Sequence, residues 1–319
     1  MKYCVIGGAG FIGSHLVKTL LAEDSCNRIV VYDNFSSGKK WHLENVTRIS
    51  NLQIVSDDIK NTKNLESVMT GMDVVYHFAA NPDISKAVTL PDIDFWEGTY
   101  LTNNVIEAMR KTGVKRLLYA SGSGVYGDAG FNEIHEDHTP MLPISTYGAS
   151  KLACETLIAA YCHMFDMTAS AFRFANVVGP HQTHGVGYDF VRRLIKDPHQ
   201  LQILGDGTQS KSYIHISDVI NAMLLLERIA PSGFTYYNVS TLDHINVTEI
   251  ANVVTEIMGL KNVVYSYAGG NRGWKGDVPV VRLNSGKIRT LGWVSCYSTR
   301  DAIYSSVQSI YEDVNSGKV

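Results

Sequence analysis

No apolar run in this sequence approaches the eighteen or so residues of a membrane-spanning helix, so no stretch of it reads as one. The chain enters directly on an apolar segment, Tyr3-Cys4-Val5-Ile6, without the pattern of a secretory leader, and a cytoplasmic location is expected. Charge imbalance is also missing. Lys and Arg total 28 against 31 Asp and Glu, a net charge of −3 that offers no basic field for nucleic acid or an anionic membrane. Arg192-Arg193 reads as a solvated helix face. The five cysteines (4, 26, 154, 162 and 296) are odd in number and form no CxxC, which points to reduced thiols rather than a disulfide framework. No repeat, low-complexity tract or long linker interrupts the chain. Its 319 residues, 45% hydrophobic and 18% charged, therefore suit one large soluble domain or two unequal ones. His135-Glu136-Asp137-His138 and His181-Gln182-Thr183-His184 carry paired ligand types but no further convergent ligands, and no metal is expected.

What the sequence does have begins at Gly7-Gly8-Ala9-Gly10-Phe11-Ile12-Gly13, set between an apolar run and a helical pattern. Strand, glycine turn and helix follow one another there. Glycine is needed where the backbone takes positive φ or approaches a diphosphate closely, and the helix N-terminus behind it supplies N–H groups and partial positive charge. A second apolar run, Arg28-Ile29-Val30-Val31-Tyr32, ends in Asp33, twenty residues after the last glycine. A dinucleotide fold places its ribose-binding carboxylate at that spacing. An acid there repels a 2′-phosphate, so NAD is expected over NADP.

Further apolar runs alternate with helical patterns at Asp73–Phe78, Arg116–Ala120 and Ala169–Phe174. This alternation predicts an α/β fold, a Rossmann-like doubly wound parallel sheet with ligands at the carboxyl ends of its strands. The expected division is a dinucleotide-binding domain over residues 1–176, rejoined by a strand near 234–240, and a smaller C-terminal substrate-binding part over 177–319. Between them in function stands Tyr147-Gly148-Ala149-Ser150-Lys151, which leads into a helical stretch. Tyr147 and Lys151, four apart, share one helix face. A cationic amine beside a phenol stabilises the phenolate, so Tyr147 is the candidate proton acceptor.

The glycine pattern, Asp57-Asp58-Ile59, His77-Phe78-Ala79-Ala80, Val125-Tyr126-Gly127, Tyr147/Lys151 and Arg173-Phe174-Ala175-Asn176 together resemble the extended short-chain dehydrogenase/reductases over almost the whole chain. Leu204-Gly205-Asp206-Gly207, Lys211–Asp218 and Arg272–Asp277 are similar to the nucleotide-sugar 4-epimerases of the UDP-glucose/UDP-galactose type within them. The resemblance implies an NAD-dependent UDP-hexose 4-epimerase, acting as a homodimer through the helix carrying Tyr147 and the helix near 97–112. Gly7, Gly10 and Gly13, with Phe11 and Ile12, would shape the NAD diphosphate loop. Asp33 and Asn34 would hold the adenosine ribose, with Ser37 and Gly38 beside them, and Asp58 and Ile59 would bracket the adenine. Phe78, Ala79, Ala80, Ser121 and Phe174 complete the cofactor set, and Lys151 would also bond the nicotinamide ribose. Asn176, Gln202, Leu204, Lys211, Arg272 and Asp277 would bind the nucleoside diphosphate of the substrate. Lys211 replaces a frequent arginine, keeping the charge but not the two-pronged geometry.

Two positions depart from the family pattern. Gly122 stands where a Ser or Thr bonds the sugar 4-oxygen, leaving Ser123 as the nearest candidate, and Gly124 replaces a usual Thr, Ser or acid. Glu97-Gly98 replaces Asn-Asn. The acids that dehydratases and decarboxylases need at 123–124 are absent, which leaves epimerisation or a related nucleotide-sugar oxidoreduction. A different class of reading is a regulatory NAD-binding protein with weakened catalysis. Val281, where glucose-restricted relatives carry Tyr, implies room for the acetamido group of UDP-GlcNAc and UDP-GalNAc.

Overall fold

The computed structural model describes residues Met1–Lys318. In chain order its elements are β1 (Lys2–Ile6), α1 (Phe11–Glu23), β2 (Arg28–Asp33), β3 (Leu52–Ser56), α2 (Thr62–Met69), β4 (Val74–His77), α3 (Tyr100–Thr112), β5 (Arg116–Gly122), α4 (Thr146–Phe165) and β6 (Thr168–Phe174). There follow β7 (Asn176–Val178), α5 (Val186–Lys196), β8 (Gln200–Ile203), β9 (Ser210–Lys211), β10 (Tyr213–His215), α6 (Ile216–Ile229), β11 (Phe234–Val239), β12 (Ile245–Asn246), α7 (Val247–Ile257), β13 (Val264–Tyr267), β14 (Val280–Val281), α8 (Gly286–Arg289) and α9 (Thr299–Asn315).

Two compact units partition the chain, and neither is one continuous segment. The first comprises residues 1–125, 146–173 and 220–237, and the second 126–145, 174–219 and 238–319.

The first unit is built on a seven-stranded sheet of order β11-β6-β5-β4-β1-β2-β3, in which the pairs β1–β2, β1–β4, β2–β3 and β4–β5 are parallel. Strands covered on both faces read as nearly continuous apolar runs, and β1, β2 and β4 do. Between the sheet and its helices lies a core that includes Ile6, Tyr32, Val75, Val105, Leu117 and Ile158. Glu227 of α6 is part of this unit: its carboxylate accepts the hydroxyls of Tyr3 (2.9 Å) and Tyr76 (2.5 Å). Helix α3 stops where Gly113 takes a left-handed conformation at φ 77°.

In the second unit, α5, α7 and α9 share a core with Phe190, Leu201, Ile250, Val254, Ile303 and Val307. The short pairs β7–β10 and β8–β13 and the three-stranded β12–β9–β14 belong to the same unit. The capping box of Asn246 and Glu249 starts α7 and contributes about 1 kcal/mol. No helix among the described residues is long and apolar enough to cross a membrane.

Candidate active site

The first unit carries the glycine turn, and its backbone explains two of the glycines. Gly7 has φ 75°, and a Cβ there would lie 2.8 Å from the Ala79 amide nitrogen, in the loop after β4. At Gly13 a Cβ would strike the Gly7 carbonyl oxygen. The turn is thus pressed between β4 and α1, and a helix's first amides lack intrahelical acceptors. Asp33, at the end of β2, is 8% exposed; its Oδ2 accepts from Ala9 N at 2.9 Å and its Oδ1 from Phe35 N at 2.8 Å. Burial raises its pKa, and these two backbone donors pull it back. Gly38 closes over the same carboxylate, since a Cβ there would stand 2.8 Å from Asp33 Oδ1. Asn34 Nδ2 donates to Asp58 Oδ2 at 2.9 Å, and Tyr32 fixes the Asp58 carbonyl from below at 3.1 Å. Ile59 is buried and Ser37 is exposed in the bend after β2. A glycine cradle at a helix N-terminus, with a carboxylate at the end of the next strand, fits a dinucleotide.

Strand β5 delivers the chemical end of the unit. Ser121 points inward, its hydroxyl donating to Glu155 Oε1 at 2.5 Å, while Arg173 Nη2 donates to Glu155 Oε2 at 2.7 Å. Its side chain is therefore engaged with the core. Gly122, one residue on, has nothing within 4 Å of where a Cβ would stand, so the departure there leaves open space. Ser123 follows half-buried in a tight turn, and Gly124 lies against α4, with a Cβ 3.4 Å from Gly148 Cα.

Helix α4 opens with Thr146, which places Tyr147 and Lys151 on its first turns. Lys151 is buried, its Nζ donates to the Ala120 carbonyl at 2.7 Å, and it stands 5.6 Å from the Tyr147 ring centre and 5.0 Å from that of Tyr119. The amine is thereby fixed at the end of β5. His77, also buried, is held neutral: burial, with the charge of Lys151 adding, pushes its imidazole down to about 3. Its Nε2 meets Thr102 Oγ1 at 3.0 Å.

The second departure has a structural cause. Gly98 lies in the π-helical turn Phe95–Thr99, and the hydroxyl of Ser150 occupies the space its side chain would need. Ser150 Oγ also meets Thr99 Oγ1 at 2.9 Å. Glu97 turns outward to pair with Lys60 at 2.7 Å.

Apart from Ser123, the substrate candidates are in the second unit, where Lys211 pairs with Asp277 Oδ1 at 2.5 Å and Gly273 N donates to Asp277 Oδ2 at 3.1 Å. Arg272 bonds the Asp277 carbonyl and pairs with Asp128 at 2.6 Å. Lys211, Arg272 and Asp277 thus form one cluster. Asn176 instead opens β7, half-buried and in register with Tyr213 of β10, Gln202 is an exposed residue of β8, and Leu204 is exposed just beyond it. Val281 is buried on β14, in register with Lys211. Trp274 folds its indole over Gly276. Phe174 closes β6. Residues without a sequence signal include Ser150, Glu155 and Asp128, each defined by a partner distant in the chain; only the missing side chain at Gly98 hinted at something filling its place.

Residues 3–239 match the model of the NAD dependent epimerase/dehydratase family. The chain belongs to this family. Among members of the epimerase/dehydratase family, the UDP-glucose 4-epimerase of Mycolicibacterium smegmatis is 28% identical over 320 residues, covering 97% of this chain and 98% of its own. A crystallised UDP-galactose 4-epimerase is 35% identical with a TM-score of 0.86, covering 98% of this chain and all of the other (100%). The UDP-glucuronic acid 4-epimerase of Bacillus cereus, solved with UDP-glucuronic acid and NAD, has a TM-score of 0.89 at 26% identity, covering 98% and 99% of the two chains.

Proposed function

We propose that this chain is an NAD-dependent 4-epimerase of UDP-hexoses, converting UDP-glucose and UDP-galactose. The observation that carries the reading is Lys151, fixed on the Ala120 carbonyl beside Tyr147 in the unit that holds the glycine turn and Asp33. The glycine turn and Asp33 would hold NAD, which would supply the reversible hydride acceptor for C4. Tyr147 takes the proton of the sugar 4-hydroxyl and gives it back to the 4-keto sugar after that sugar has turned over, so no net redox occurs. Lys151 stabilises the phenolate and, through its bond to Ala120, keeps its place during the turnover. Lys211 and Arg272 meet the diphosphate, exchanging part of their pairing with Asp277 and Asp128 for phosphate oxygens. Ser123 supplies the bond to the 4-oxygen that residue 122 lacks.

The buried, small Val281 supports acceptance of UDP-GlcNAc and UDP-GalNAc as well. The reading extends to a homodimer through α3 and α4, near which Trp96 and Met164 are exposed, and to a cytoplasmic location. A second reading, a regulatory NAD-binding protein, is favoured by the empty space at Gly122. Purified protein incubated with UDP-galactose, with products followed by proton NMR, separates the two. Conversion to UDP-glucose is expected; NAD-loaded protein that leaves UDP-hexoses unchanged overturns the epimerase.

A further inference from the structure

Asp94 is 1% exposed and immediately precedes the π-helical turn Phe95–Thr99. Its Oδ1 accepts from Asn81 Nδ2 at 2.8 Å and its Oδ2 from Thr146 Oγ1 at 2.7 Å. Its carbonyl oxygen accepts from Ser150 Oγ at 2.7 Å. Three segments of the first unit therefore meet on one residue: the loop that follows Phe78-Ala79-Ala80, the turn into α3, and the start of α4. Burying a carboxylate is costly unless its oxygens are well bonded, and an apolar residue would fill the same volume without that cost. The bonds made here are unevenly placed. Thr146 and Ser150, four apart, share one face of α4, and Tyr147 and Lys151, each one residue further on, share the adjacent face about 100° away. Whatever holds the first face sets the rotation of the helix about its axis, and that rotation aims the second.

We propose that Asp94 is a positioning residue: by holding Thr146 and Ser150 it fixes the rotational setting of α4 that aims Tyr147 and Lys151, and through Asn81 it references that setting to the cofactor loop after β4. The inference rests on the epimerase reading for its kinetic consequence, though not for the geometry. Displacing a reacting group by about 1 Å costs on the order of 100-fold in rate while leaving ground-state binding largely intact.

The test compares Asp94→Ala, Thr146→Val and Thr146→Ser in the NAD-loaded protein. Asp94→Ala and Thr146→Val are expected to lower kcat by roughly 10- to 100-fold, with KM for UDP-galactose and NAD content within about twofold of wild type. Thr146→Ser, which keeps the hydroxyl, retains kcat. If Asp94→Ala does not fold, the Thr146 pair decides, because Thr146 is exposed and valine keeps its branched shape. A kcat within twofold of wild type in Thr146→Val overturns the proposal, and so does a fall in kcat accompanied by equal losses of substrate and NAD binding. If the wild type turns over no UDP-hexose, the functional reading fails on its own. Amide exchange then decides the inference: faster exchange confined to residues 146–151 in Thr146→Val, restored in Thr146→Ser, supports it, and unchanged exchange overturns it.

Discussion

The hydroxyl of Ser150 fills the space in which a side chain on residue 98 would begin. Gly98 is thus the complement of a serine on α4 rather than a vacancy. Placing a methyl group there forces Ser150 from its bonds to Asp94 and Thr99, at a cost of roughly 1–3 kcal/mol. Gly98→Ala is expected to destabilise the protein by that amount in urea unfolding, and Gly98→Ala/Ser150→Ala by clearly less than the sum of the two single changes. Additive effects would show that the two positions do not compete for one space.

At Gly122 the opposite holds, because nothing lies within 4 Å of an added Cβ. Gly122→Ser should fold as the wild type does and raise turnover, while Ser123→Ala should lower it. One lost hydrogen bond to a reacting oxygen corresponds to about 10²–10³ in rate, which bounds the gain. No change in kcat for either variant would mean that this strand end does not bind the 4-oxygen.

Tyr147→Phe removes only the phenolic hydroxyl that the proposed reaction uses for proton transfer, and epimerisation should vanish while NAD and UDP binding, read by calorimetry, stay near wild type. Lys151→Ala should reduce both NAD binding and rate. Near-normal turnover by Tyr147→Phe would assign the base elsewhere.

Cofactor choice rests on Asp33. The wild type should bind NAD well above NADP, and Asp33→Ala should weaken NAD binding; a wild-type preference for NADP would refute the assignment.

His77 makes stability depend on pH. Its folded pKa of about 3 lies below its unfolded value of about 6.5, so between these the unfolded chain holds the extra proton. Its contribution is fully present above about pH 6.5 and is lost at about 1.4 kcal/mol per pH unit as pH falls toward 3. His77→Gln should lose less stability than wild type on going from pH 7 to pH 4, with parallel behaviour above 7. Parallel unfolding curves over the whole range would exclude the effect.

The sheet, the glycine turn, Asp33 and the Tyr147/Lys151 helix were all legible because each is written in local pattern: apolar runs, a residue spacing, a helix face. Ser121 was legible as a strand end but not as an inward-facing residue, since its partner Glu155 lies 34 residues away and becomes its neighbour only when α4 docks. Gly98 read as a defect for the same reason. The space it leaves is defined by Ser150, 52 positions on, and no window of sequence contains both.

The interleaving of the two units bears on how the protein is made. Residues 1–176 contain the glycine turn, Asp33, Tyr147 and Lys151, yet they do not contain Glu227, which receives the hydroxyls of Tyr3 and Tyr76, nor β11, which borders β6. On a ribosome the first six strands of the sheet emerge long before these pieces. Until about residue 239 has left the exit tunnel, β6 is a bare sheet edge and two buried phenols lack their acceptor, an arrangement that invites pairing with other chains. A fragment cut after 176 would carry the same exposed edge, whereas one extended through β11 would cover it.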